Sequence, residues 1–167
     1  KMCEDSITFW QKTLGRDIKS LRDVSVDDFK KHQSALESLD PVMRKRVEHI
    51  VYENKRVLDV VDLLGKNDIV GFGELLTATG ESALGLYELD DKTPELTFLF
   101  KQGKKLPGVM GIRNMGGGFS AIVLALVKDD QMQAFKTQLN SAYSAEFGGQ
   151  LEFIQFNATD GVDELTF

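Results

Sequence analysis

The chain has 167 residues, enough for one compact domain with an appended helical arm and a core that needs no staples. Its 42% hydrophobic and 28% charged residues exclude a disordered chain, and the one cysteine, Cys3, excludes an intramolecular disulfide framework. A net charge of −6 argues against a nucleic-acid partner, and no apolar run approaches the roughly 18 residues of a membrane span.

The first half reads as helical. Ile7, Trp10 and Leu14 recur at helical spacing between Glu4 and Leu14, and Gly15 offers a stop. Ser25, followed three residues later by Asp28, is close to a capping box and predicts a short helix through about Glu37. Asp40-Pro41 then opens a long amphipathic helix, with Val47, Ile50, Val51, Asn54, Val57, Leu58, Val61 and Leu64 on one face. Gly65, Lys66 and Asn67 signal its end. Asp68 caps another helix with Ile69, Phe72, Leu75, Leu76, Thr79, Ala83 and Leu86 on one face. Gly71, Gly73, Gly80 and Gly85 lie within that helix. Each interior glycine costs about 0.5–1 kcal/mol relative to alanine, so four of them predict close backbone packing. A turn at Asp90-Asp91-Lys92 precedes Thr93-Pro94 and a helix from Glu95 to about Leu106.

The pattern changes at Pro107. Val109–Arg113 is a predicted strand, and the apolar run within Ser120–Lys128 predicts a buried one. Gln131–Phe147 reads as a helix with Met132, Phe135, Leu139 and Tyr143 inward, closed by Gly148-Gly149. Leu151–Phe156 alternates as a strand, and a turn at Asp160-Gly161 leads to a last segment, Val162–Phe167. Helices, then strand–strand–helix–strand, predict an α+β sandwich with helices on one face of a small antiparallel sheet.

Asn114-Met115-Gly116-Gly117-Gly118-Phe119, between two strands, is the segment with chemical content. Consecutive glycines permit positive φ, and their N–H groups can converge into an anion-binding nest. A tight hairpin or a close packing contact is the alternative. Arg113, at the mouth of the turn, either holds a phosphate or carboxylate or is an exposed strand end. The turn is not a Walker A loop, because Gly65-Lys66 and Gly103-Lys104 are followed by Asn67 and Lys105 rather than Ser or Thr. Arg44-Lys45-Arg46, interspersed with Glu48 and Glu53, reads as a solvated face with i,i+4 pairs. His49 reads as a packing residue and His32 as exposed, with no partner that makes a catalytic pair, and Cys3 as inert. Two histidines and one cysteine argue against a zinc site.

Taken in order, several segments resemble the C-terminal half of the galactokinases, members of the GHMP kinase superfamily. Cys3-Glu4 with Leu21–Ser25 resembles the stretch just past the midpoint of such enzymes, and Leu39–Val51 with Glu53-Asn54 and Arg56-Val57 is similar to their long helix. Asp68–Leu76, Tyr87-Glu88-Leu89 and Pro94-Glu95-Leu96 look like the next two helices. Gly108–Phe119 resembles the third motif of the superfamily, and Asp160-Gly161-Val162 is similar to the family's close. Departures stand at Ile112, Asn114-Met115, Ser120-Ala121, Thr79-Gly80 and Thr97, and the turn at Asp90–Lys92 is longer than usual.

The resemblance implies a ferredoxin-like α+β sandwich over residues 41–167, preceded by a helical linker region over 1–40 from a missing N-terminal half. It implies transfer of the γ-phosphoryl of ATP, with Mg2+, to the anomeric hydroxyl of galactose. The cleft departures leave a related sugar or sugar acid as one alternative, and a non-catalytic sugar and ATP sensor as another. Carried residue by residue, the role beside the nucleotide phosphates falls on Arg113, Gly116, Gly117, Gly118 and Phe119. The expected catalytic and metal-binding residues belong to the other half, so the fragment is expected to be inactive and to bind no cofactor tightly. Its expected partners are the missing N-terminal domain, the sugar and ATP, with no nucleic acid and no membrane. Lys1 is not an initiator methionine, so the chain is expected to be processed or cut from something larger. No signal peptide opens it, and a cytoplasmic location is expected.

Overall fold

The computed structural model describes residues 1–90, 93–117 and 121–157. Helix α1, Met2–Leu14, stops where Gly15 takes a left-handed conformation at φ 62°. A 3-10 turn over Leu21–Asp23 follows, closed by a reciprocal capping box between Ser20 and Asp23. Ser25 and Asp28 form a second such box at the start of α2, Val26–Lys31. The helix expected to reach Glu37 breaks earlier, because His32 at φ −109° and ψ 22° leaves the helical region; the chain restarts as α3, Gln33–Leu36.

The Asp40 carboxylate accepts from the backbone N–H groups of Val42 (2.9 Å) and Met43 (3.1 Å), and Pro41 opens α4, Pro41–Gly65. One core lies here: Trp10, Ile18, Leu21, Val24, Phe29 and Leu36 close on Val47 and Val51 of α4. The apolar stripe of α4 runs past this core. Val57, Leu58, Val61 and Leu64, expected on the buried face, are 56%, 65%, 65% and 48% exposed, because the preceding segments cover only the first half of the helix.

Helix α5, Ile69–Leu86, is capped by Asp68, whose Oδ1 accepts from Gly71 N at 2.9 Å. Helix α6, Pro94–Gly103, ends short of the expected Leu106, since Lys105 and Leu106 donate three residues back, to Gln102 and Gly103, in tight turns. Strands β1, Val109–Asn114, and β2, Val123–Val127, pair antiparallel with Arg113 opposite Leu124 and Asn114 opposite Val123. β2 starts later than the expected Ser120, beyond Ala121 at φ 53°, and it is half-buried rather than buried, with Val127 alone inside. Helix α7, Met132–Phe147, ends at left-handed Gly148, φ 75°. The strand expected over Leu151–Phe156 does not form. Leu151 gives its N–H to the Asn140 side chain (2.8 Å) instead of a neighbouring strand, and Leu151 and Phe153 pack on Val127 and Phe135 beside α7. Asp91 and Lys92 of the first expected turn, the Asp160-Gly161 turn and the Val162–Phe167 segment lie outside the described residues.

The second core joins α5, α6 and α7 to the sheet through Leu84, Leu96, Phe100, Ile112, Phe135 and Leu139. Helices on a small antiparallel sheet make the fold α+β, as the element order predicts. The α5 glycines explain how close those layers come. A Cβ on Gly73 would overlap the Met110 carbonyl, a Cβ on Gly111 would lie 2.7 Å from the Gly73 Cα, and one on Gly80 would lie 3.0 Å from the Arg113 Cα. Thr77 Oγ1, one turn from Gly73, accepts from Ile112 N at 3.2 Å, so α5 also satisfies a backbone donor of β1.

Gly73→Ala is therefore expected to destabilise by about 1–3 kcal/mol through overpacking, whereas Gly85→Ala, with open space around it, should stabilise by about 0.5–1 kcal/mol. Urea unfolding of the two variants checks this, and shifts of the same sign would contradict the packing argument.

Candidate functional site

At the end of β1, Ile112 and Asn114 point inward and are buried, while Arg113 between them is half-exposed. The hairpin closes where Met115 N donates to Ile122 O at 2.9 Å. That bond removes the Met115 N–H from any anion nest, so the nest can begin only at Gly116. Gly116 is left-handed at φ 63° and exposed, with no atom of the described residues within 4 Å of where a Cβ would sit. Its glycine is required by backbone conformation and not by crowding. Gly117 is exposed beside it; Gly118 and Phe119, the other two residues expected in the site, lie outside the described residues. Buried Asn114 supports the turn from below, its Nδ2 donating to Gly116 O at 3.1 Å, and its Oδ1 has no partner among the described residues.

Arg113 donates from Nε to Asn114 O at 3.1 Å, and its Nη1 lies 3.6 Å from Glu53 Oε1. Glu53 belongs to a polar strip on α4 that also carries His49 and Arg56, spaced i, i+4, i+7 on one helix face. Glu53 Oε2 accepts from Arg56 Nε at 2.8 Å and from Thr79 Oγ1 of α5 at 2.9 Å. Arg56 Nη2 is buried without a partner among the described residues. Thr79 stands out in the sequence only as a departure at the cleft, and Glu53 and Arg56 only as part of the long-helix resemblance; the further local signal is the spacing of His49, Glu53 and Arg56.

His49 packs edge-on against Tyr87, with ring centroids 4.8 Å apart, and its Nδ1 is 2.8 Å from Ser82 Oγ. It is thus a packing residue with a polar partner, which the sequence reading did not assign. Burial holds its imidazole below the ordinary value, reinforced by the Arg56 and Arg113 charges and opposed by Glu53 and the Ser82 contact. The basic cluster also differs from expectation. Lys45 and Arg46 bind the Glu88 carboxylate at 2.7 and 2.9 Å, and Arg46 also reaches Leu86 O and stacks over Tyr87. The partner comes from beyond the end of α5 because Glu88, left-handed at φ 56°, turns back toward α4. Hydrogen bonds from Lys45 and Arg46 hold the Glu88 carboxyl below its usual range.

Two of the departures have structural explanations. The Thr79 hydroxyl is committed to Glu53, and Gly80 is packed on Phe100 and β1. Thr97 donates to Asp90 O at 3.3 Å, and Met115 is 56% exposed at the turn. Grooves of about 410 Å³, between α5 and the start of β1, and about 520 Å³, along α7, are lined by neither Arg113 nor Gly116. Met115, Gly116 and Gly117, the described residues of the turn, are exposed. Among the described residues no three His, Cys, Asp or Glu side chains converge to hold a metal, and no helix is long and apolar enough to cross a membrane.

No family model matches the chain. Its similarity to curated proteins is nonetheless nearly end to end. It is 33% identical to a galactokinase of Haemophilus influenzae over 163 residues, covering 97% of this chain and 40% of that protein. It is 36% identical to the galactokinase of Lactiplantibacillus plantarum over 98% of the chain and 41% of the relative. The crystal structure of Lactococcus lactis galactokinase complexed with galactose superposes with a TM-score of 0.75 at 30% identity, covering 88% of this chain and 37% of that one. Over nearly its whole length the chain matches part of the galactokinases. It spans about two fifths of the length of these relatives, so the galactokinase resemblance and the α+β fold expected from the sequence are both borne out.

His49 gives the site a measurable pH signature. Its folded value lies below the ordinary 6.5, so the unfolded chain takes up this proton first as pH falls. The His49 contribution is whole above about pH 6.5 and declines below it. His49→Gln should therefore lose less stability than the unaltered chain between about pH 7.5 and about pH 5.5, measured as urea midpoints; equal losses would contradict the assignment.

Proposed function

We propose that this chain is the C-terminal part of an ATP-dependent sugar-1-kinase acting on galactose, and that it supplies one wall of the nucleotide site. The observation that carries the reading is the pairing of a half-exposed Arg113 with an open, left-handed Gly116 turn, in a chain whose relatives are galactokinases. Residues 1–40 are the helical region leading from the rest of the polypeptide, and residues 41–167 the C-terminal domain. The expected setting is the cytoplasm.

In the reaction the sugar's anomeric hydroxyl oxygen bonds to the γ-phosphorus, the bond to the β,γ-bridging oxygen breaks, and ADP leaves with that electron pair. The hydroxyl proton passes to a base in the part of the polypeptide outside this chain. This chain's residues act on charge and access. The half-exposed Arg113 guanidinium offers planar N–H donors suited to phosphate oxygens. The glycines of the turn, Gly118 included, leave no side chain to block an approaching phosphate loop, and Phe119 closes the motif. Mg2+, when bound, neutralises charge on the β- and γ-phosphate oxygens. Its protein ligands are assigned, on this reading, to the rest of the polypeptide. Phosphoryl transfer depends on positioning and charge stabilisation from both walls, so the isolated chain should not turn over.

ADP release by the full-length polypeptide against galactose, related sugars and sugar acids tests the reading, with the 167-residue chain as control. Turnover on galactose with an inert fragment is expected. Turnover on another sugar alone would move the assignment within the superfamily, and a folded, ATP-binding polypeptide without turnover would make it a sensor. Gly116→Ala, strained by about 1–2 kcal/mol in the left-handed region, should lower kcat/KM about tenfold.

A further inference from the structure

Glu53 is held by two helices independently of Arg113. Arg56, one turn away on α4, fixes the carboxylate through Nε at 2.8 Å, and Thr79 of α5 fixes it across the helix interface at 2.9 Å. Both bonds fall on Oε2. Oε1 is left facing Arg113 Nη1 at 3.6 Å, beyond hydrogen-bond length but close enough for strong attraction in a half-buried setting. Arg113 anchors its Nε on Asn114 O beside it, and its side chain remains 34% exposed at the mouth of the turn. A short bidentate pair would instead fill the guanidinium's fork. Here the carboxylate attracts the guanidinium without occupying its fork.

We propose that Glu53 is a positioning residue that orients the Arg113 guanidinium at the glycine turn for an anionic phosphate of the nucleotide. The inference rests on the reading of Arg113 and the turn as the phosphate wall. Without the Glu53 charge, Arg56 and Arg113 are left as like charges with no carboxylate between them, and the exposed Arg113 stem is free to sample other rotamers. Among the described residues, Arg113 Nη2 has no hydrogen-bond partner, so an arriving phosphate can take that donor while the carboxylate faces Nη1.

Four proteins test this in the full-length polypeptide: unaltered, Glu53→Gln, Arg113→Ala and the double variant, each checked for folding by circular dichroism. Kinetics are measured separately for ATP and for sugar. Arg113→Ala should raise the KM for ATP about tenfold and Glu53→Gln about threefold or more, with the sugar KM unmoved. The double variant should match Arg113→Ala alone, because Glu53 acts only through Arg113. Effects that multiply, or a Glu53→Gln protein with an unaltered KM for ATP, would overturn the positioning role and leave the phosphate wall standing if Arg113→Ala is impaired. An Arg113→Ala protein with unaltered kinetics would remove the phosphate wall itself, and the inference with it. Should Glu53→Gln fail to fold, Glu53→Asp replaces it in the same cycle, keeping the charge but withdrawing it by about one bond length. The same criteria of matched or multiplied effects then apply.

Discussion

Everything near the turn depends on α5 lying directly on β1 with backbone against backbone. Gly73 and Gly80, seven residues apart on one helix face, remove the side chains that would separate the layers, and Gly111 does the same from the strand. Thr77, on that face, returns a hydrogen bond to Ile112 N. With α5 fixed so close, its opposite face meets α4, and Thr79 and Ser82 on that side find Glu53 and His49. One helix thus sets the height of Arg113 above the sheet and the position of the carboxylate that faces it. The conformational cost of glycine inside a helix is offset by that coupling.

The polar strip between α4 and α5 is better understood as orientation than as stability. Side chains of Arg56, Glu53 and Arg113 are 14%, 20% and 34% exposed, so their charges are partly desolvated and partly screened. In that regime the attraction gained on pairing is largely offset by the water lost. What survives is direction. Two hydrogen bonds hold Glu53 in one rotamer, while the longer contact to Arg113 leaves that side chain its donors. The Glu88 contacts with Lys45 and Arg46 serve a different end, tying the chain beyond α5 back onto α4.

Local chemistry was readable in the sequence, and contacts between distant residues were not. The Ser25–Asp28 box, the Asp40-Pro41 start and the Gly15 stop are encoded within a few residues, and each forms where the pattern places it. Glycine crowding in α5 announced close packing, but nothing local could say that β1 was the surface. Glu53 looked like one carboxylate among many because its meaning comes from Thr79 and Arg113, which other elements deliver. The same limit explains the failures. Alternation at Leu151–Phe156 satisfies a strand pattern, yet a strand also needs a partner's backbone, and here Asn140 takes the Leu151 N–H. Periodicity along α4 correctly gave one apolar face, but how far the rest of the fold would cover it is not a local property. The family resemblance reached further because ordered motifs carry information about tertiary partners that hydrophobic period alone does not.

On the proposed reading, an open wall is the form expected of one half of a phosphoryl-transfer site. While Arg113 faces solvent, high dielectric and mobile ions weaken its pull on any phosphate, and Gly116 N–H is equally well hydrated. Covering the wall changes both conditions at once. Water leaves, the same guanidinium acts through a lower dielectric, and backbone donors lose their competing solvent partners. The geometry already present, with Arg113 oriented and Gly116 preset at φ 63°, means little has to be reorganised when that happens. On that reading the chain contributes preorganisation, while the strength of its electrostatics has to come from whatever surface covers it.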